Sequence, residues 1–226
     1  MKPIRLVICT RHDRKGFART PLGVTISRFG HLSFIEVQLF ANNTMGLSQR
    51  YNEAIETAKN DPAILVFVHD DVEIMDWWWF QRLGLALQNH HLIGLAGNRQ
   101  RAPGQLSWAI ANDQGLLTDK SLWAGTVARG DGFQMVGWDC FANANVEVDL
   151  IDGLFMAADS ETFHDQSIRF DEQFTFHHYD MDISRQFQDK GLSLYVPAIS
   201  VIHHSNGVMG EAWNESAKRY LDKWND

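Results

Sequence analysis

Ala63-Ile64-Leu65-Val66-Phe67-Val68, followed at once by His69-Asp70-Asp71-Val72-Glu73, is the stretch that decides how this chain folds. An unbroken apolar run of this length, rich in β-branched and aromatic residues, suits a strand covered on both faces. In open parallel sheets, ligands bind beyond the carboxyl ends of the strands, so the acidic step after Val68 falls where a site is expected. Adjacent carboxylates repel one another unless a cation or donor groups compensate. Hard oxygen ligands of this kind suit Mg²⁺ or Mn²⁺. A solvated acidic turn leading into the next element explains the same residues equally well.

Working outward, Ile4 to Thr10 reads as a buried first strand that ends in the polar cluster Arg11-His12-Asp13-Arg14-Lys15-Gly16. Thr20 offers an N-cap with Pro21 in the first helical position, and Leu22, Ile26 and Phe29 follow at helical spacing up to Gly30. Ile35 to Ala41 is a second strand. The turn Asn42-Asn43-Thr44-Met45-Gly46 then enters a helix whose apolar face is Leu47, Tyr51, Ile55 and Ala58. Beyond the acidic step, Trp77, Phe80, Leu83 and Leu87 recur as a helix, and Leu92 to Ala96 supplies one more strand. The alternation of strand and helix predicts an α/β fold, a single Rossmann-like domain with a mostly parallel central sheet and helices on both faces.

From Gly97 to Trp138 the periodicity dissolves, and the stretch reads as an insertion or an active-site flap. Order returns at Val146 to Ala157. A helix starts near Asp180, carries Ile183 and Phe187 one turn apart and closes at Gly191. Ser193 to Ile202 is strand interrupted by Pro197, and from about Gly210 a last helix aligns Trp213, Ala217, Tyr220, Leu221 and Trp224 on one face.

The composition sets bounds on function. The chain has 226 residues, 45% of them hydrophobic, which is ample for a buried core. Its formal net charge of −8 argues against a polyanionic partner, so no nucleic acid is expected, and an anionic ligand needs a local basic or metal-bearing site. Two cysteines, Cys9 and Cys140, are too few for a disulfide framework and fit a reducing, cytoplasmic compartment. No apolar stretch has the length of a membrane span.

Two later clusters carry chemistry. Asp180 and Asp182, in Tyr179-Asp180-Met181-Asp182, flank a helix start, where carboxylates are favoured by backbone donors and the helix dipole. Capping explains at least one of them, and a general base toward an acceptor hydroxyl explains either. His203-His204-Ser205-Asn206-Gly207 follows an apolar strand. Its imidazoles are candidate partners for the carboxylates near Asp71, although strand alternation points the two rings opposite ways. A histidine pair in a polar turn explains the same residues equally well. The run Trp77-Trp78-Trp79 suggests sugar stacking, but helical geometry turns its members in different directions, which favours core packing with an exposed rim.

Taken in order, these stretches resemble family 2 glycosyltransferases and their relatives with the A-type glycosyltransferase fold. The matching segments are Asn43 to Ser48 with Tyr51 to Ile55, Phe67 to Glu73 in the place of the DXD motif, and Asp152 to Ala157. Phe170-Asp171-Glu172 through Asp182 and finally His203-His204-Ser205 complete the series. The resemblance implies transfer of a sugar from a nucleotide diphosphate sugar to a hydroxyl acceptor such as a glycan, supported by Mn²⁺ or Mg²⁺. It implies Asp71 and either His203 or His204 as metal ligands, with Asp70 in support or at the donor ribose. It further implies Asp180 as base, Asp152 and Gly153 at the border of donor sugar and acceptor, and Thr10 and Arg11 at the nucleotide base, with Asn43 on the same donor side. On this view residues 1–97 form the nucleotide-sugar half, 98–145 the insertion or flap, and 146–226 the acceptor and catalytic half. Two positions depart from the pattern: His69 stands where many members have the first aspartate of DXD, and Tyr179 where many have the glutamate before the base. A nucleotidyltransferase using Arg11, Arg14, Lys15 and Gly16 as a phosphate loop, and a non-catalytic nucleotide-sugar or glycan-binding module, are the competing readings.

Overall fold

The computed structural model describes residues 2–131, 134–205, 207 and 209–226, with the backbone alone over 134–142. Asn206, from the late histidine stretch, lies outside the described residues, as does the side chain of Cys140, while Cys9 is a free thiol. The chain runs β1 (Ile4–Cys9), α1 (Arg14–Phe17), α2 (Pro21–Phe29), β2 (Ile35–Phe40), α3 (Leu47–Thr57), β3 (Ile64–Val68), β4 (Val72–Ile74), α4 (Trp79–Ala86), β5 (Leu92–Gly94) and β6 (Ala96–Asn98). There follow β7 (Trp123–Asp131), β8 (Gln134–Ala142), β9 (Val146–Val148), β10 (Leu150–Ile151), β11 (Phe155–Asp159), α5 (Ser160–Asp165), α6 (Tyr179–Asp189), β12 (Leu194–Val196), β13 (Val201–His203) and α7 (Glu211–Trp224).

The central sheet has seven strands in the order β2-β1-β3-β11-β5-β12-β9. Strands β2, β1, β3, β5 and β12 run one way, and β11 and β9 run against them. Strand β3 lies inside the sheet, between β1 and β11, and is buried throughout, as its apolar run predicts. Successive side chains of a strand point to opposite faces. Leu65 and Phe67 accordingly join a core with α3, α5 and α6, whereas Ile64, Val66 and Val68 join one with α2 and α4. Each fully buried side chain of this size contributes about 1.5–3 kcal/mol, so both faces of β3 must be covered for the sheet to hold. Helix α2 begins as its sequence predicts: the Thr20 hydroxyl accepts from the Gly23 amide at 3.1 Å and Pro21 occupies the first turn. In the tryptophan run, Trp79 is buried and Trp77 and Trp78 are exposed.

The structure corrects the sequence reading in two places. Leu92 to Ala96 is not one strand: the chain breaks at Leu95, so that β5 belongs to the central sheet and β6 to a second sheet of order β10-β6-β7-β13-β4, with β8 paired to β7. The stretch read as aperiodic up to Trp138 contains most of a long antiparallel hairpin, β7 with β8. Glycines hide its alternation because close crossings require them. A Cβ at Gly125 in β7, whose φ is +125°, would stand 2.2 Å from the Leu95 carbonyl oxygen, and one at Gly130, also in β7, would stand 2.3 Å from the His204 ring. Among the described residues no helix is long and apolar enough to cross a membrane.

Candidate functional site

After β3 the chain leaves the central sheet at His69-Asp70-Asp71 and enters the second sheet as β4. Strand β13 pairs antiparallel with β4, His203 opposite Val72, and the His204 amide donates to the Asp71 carbonyl at 2.9 Å. This register carries His203 across more than half the chain to Asp71, its Nε2 lying 3.4 Å from Asp71 Oδ1. His69, Asp71 and His203 each offer a donor atom within 4.8 Å of the others, the one such group among the described residues. Asp71 Oδ1 and His203 Nε2 are buried without a well-formed hydrogen bond. Burial alone would raise the Asp71 carboxyl, yet His203 and His69 hold it below its ordinary value. Burial likewise works against a charged His203, and Asp71 outweighs it and raises that imidazole. His69 is lowered, first by burial.

A second group of carboxylates stands beside the first. Between β10 and β11 the turn Asp152-Gly153-Leu154 meets the start of α6. Asp180 accepts from the Gly153 amide at 3.0 Å and from the Met181 amide at 2.9 Å. Asp152 accepts from the Leu154 amide at 2.7 Å and from the Trp108 indole at 2.5 Å. Desolvation first, and the neighbouring Asp152 charge second, push the Asp180 carboxyl up to about 7. Tyr179 joins the two groups, because its hydroxyl lies 2.6 Å from His69 Nε2 and donates to the Gly153 carbonyl at 3.1 Å. Only glycine fits at 153, since a Cβ there would stand 2.2 Å from the tyrosine oxygen.

Of the other residues singled out in the sequence, Thr10 is buried and donates to Asp70 Oδ2 at 2.5 Å, at the end of β1. Arg11 beside it is exposed. Asn43 shapes the loop into α3, its Oδ1 accepting from Arg50 Nε at 3.1 Å and its amide donating to the Met45 carbonyl at 2.8 Å. His204 is not in the metal-type cluster. It faces Glu73, 3.6 Å away, on the opposite side of β13, and Glu73 is also held by Arg28. Asp182 is fully buried and bonded to Lys223, Gln186 and Trp224, so it ties α6 to α7. His178, in a left-handed conformation, occupies the cap position of α6 without a side-chain cap bond, so neither Asp180 nor Asp182 is the N-cap residue. His69, Tyr179 and Trp108 were not chosen from sequence as site residues. The first two showed themselves only as departures, and Trp108 lay in the stretch without periodicity. A cavity of about 550 Å³ between the loop around Leu106 and α7 is lined by none of these groups.

With this geometry in view, the sequence matches a family described as "Glycosyltransferase like family" over residues 34–224. The chain belongs to that family. This glycosyltransferase also superposes on the crystal structure of A197 from STIV with a TM-score of 0.52 at 12% identity, covering 91% of this chain and 87% of that one. At such identity the likeness shows a shared fold, and the mixed sheet with its helices is consistent with the A-type glycosyltransferase architecture that the family resemblance implies. No curated protein matches the glycosyltransferase in sequence.

Proposed function

We propose that this glycosyltransferase moves a sugar from a nucleotide diphosphate sugar to a hydroxyl acceptor with inversion, using a divalent cation and Asp180 as base. The observation that carries the reading is the meeting of a buried, paired carboxylate and imidazole, Asp71 and His203, with a carboxyl of raised pKa, Asp180, across the single turn at Gly153. A buried carboxylate oxygen and a buried imidazole nitrogen that face each other at 3.4 Å, with no other hydrogen-bond partner, suit a shared cation, so these residues fit the group. Asp71 and His203 would hold the ion, with His69 as a third donor, and its charge would offset that of the departing diphosphate. Two imidazoles in the donor set favour Mn²⁺ over Mg²⁺, which prefers all-oxygen ligands.

Asp180 takes the proton of the acceptor hydroxyl as that oxygen attacks the anomeric carbon. A carboxyl titrating near neutrality is matched to this task. Burial first, and then like-charge repulsion from Asp152, oriented by the Trp108 indole, keep Asp180 basic, and Asp152 with Gly153 borders donor sugar and acceptor. Thr10, Arg11 and Asn43 lie on the donor side, and Thr10 aims Asp70 toward the ribose. In this division residues 1–97 serve the donor, 98–145 cover the site and 146–226 supply acceptor contacts and the base. Calorimetry with a panel of nucleotide sugars and Mn²⁺ tests the reading: Asp71→Ala weakens metal-supported donor binding. Equal donor affinity with and without a chelator would overturn it.

A further inference from the structure

His69 and Tyr179, the two positions that depart from the family 2 pattern the sequence resembles, are bonded to each other. They lie 110 residues apart in sequence, and the side chains meet at 2.6 Å. Tyr179 is 3% exposed, so water does not compete for its hydroxyl. That hydroxyl carries one proton, and its neighbours are the Gly153 carbonyl at 3.1 Å, His69 Nε2 at 2.6 Å and the buried Tyr51 hydroxyl, which has a proton of its own to give. The carbonyl can only accept. If the tyrosine proton serves Gly153, the histidine contact is satisfied only when Nε2 brings a proton of its own. The opposite assignment sets the carbonyl oxygen against the lone pairs of the tyrosine oxygen in a buried place, which is costly. A neutral imidazole protonated at Nε2 has its lone pair on Nδ1.

We propose that Tyr179 is a positioning residue that locks His69 in the Nε2–H tautomer, so that Nδ1 is the nitrogen this histidine gives to the cation. The proposal rests on the reading of His69, Asp71 and His203 as a cation site. It extends that site through a chain running from the Gly153 carbonyl through the Tyr179 hydroxyl to His69. The same turn also holds Asp180 by its amide, so one residue, Gly153, through its N–H and its C=O sets both the ligand and the base. Outer partners of this kind orient a metal-binding histidine and raise its basicity.

Two measurements test this. In metal-free protein, long-range ¹H–¹⁵N spectra of the imidazoles, assigned with His69→Gln, show His69 as the Nε2–H tautomer, and finding it protonated on Nδ1 overturns the proposal. Mn²⁺ binding is then followed by electron paramagnetic resonance without substrate. Tyr179→Phe weakens Mn²⁺ by roughly 10–100-fold, the usual cost of losing such a partner. His69→Asn, whose amide reaches the Nδ1 position, retains more affinity than His69→Gln, whose amide reaches the Nε2 position. Wild-type affinity in a folded Tyr179→Phe, or Gln surpassing Asn at position 69, overturns the proposal while leaving the cation site in place. Absence of Mn²⁺ binding by the wild type instead overturns the cation site itself, and the spectra of the metal-free protein keep the two failures apart.

Discussion

The two halves of the site present opposite electrostatic problems within a few residues of each other. At Asp71 and His203 a carboxylate and an imidazole attract, each stabilising the charged form of the other, yet neither has a complete hydrogen-bond shell. At Asp152 and Asp180 two carboxyls repel, and burial drives a proton onto one of them near neutral pH. The first arrangement suits binding a cation, the second trading a proton. One tyrosine and one glycine separate them, so neither property comes from the local sequence alone.

The sharpest way to break this contrast is Asp180→Asn, which keeps shape and removes the base. Turnover should fall roughly 10²-fold or more while Mn²⁺ affinity stays unchanged, and full retained activity in a sugar-transfer assay would take Asp180 out of the mechanism. Next comes the metal half, where losing a ligand should cost at least the roughly 10–100-fold lost with an outer-shell partner. His203→Ala should weaken Mn²⁺ by that much in titration calorimetry, whereas His204→Ala, facing Glu73 across the strand, should leave the affinity as it was. Equal losses in the two variants would show that the strand does not sort the pair.

The smallest effect concerns pH. The Asp180 carboxyl titrates at about 7 in the fold against an ordinary 3.8, so it favours the neutral form there. Its contribution to stability is present in full below the ordinary value and is lost as pH rises through about 7. Turnover should therefore rise with pH through that range, as the base is freed. Over the same range, from about pH 5 to 8, thermal unfolding should shift in favour of Asp180→Asn over wild type by on the order of 2 kcal/mol, several degrees in Tm. A stability difference independent of pH would show that Asp180 is ionised well below neutrality.

Much of the architecture was legible because its signals are local. The β3 run, the Thr20-Pro21 start of α2 and the Gly191 stop of α6 are each written in a few neighbouring residues, and all three are present in the structure. The β7 hairpin was not legible, since the glycines that permit its close crossings erase the alternation that marks a strand. Nor was the place of β11, which enters antiparallel between β3 and β5 although the order of elements suggests a parallel neighbour.

By itself, the sequence determined which residues are chemically capable: the acidic step after Val68, the carboxylate at 180 and the late histidines. Only the tertiary structure decided that His203 rather than His204 meets Asp71, that His69 joins them and that Tyr179 answers His69. The physical reason is that a side chain's type is local, whereas its partner is set by strand register and by where distant turns close. A shift of one residue in β13 against β4 would exchange the two histidines and dissolve the cluster.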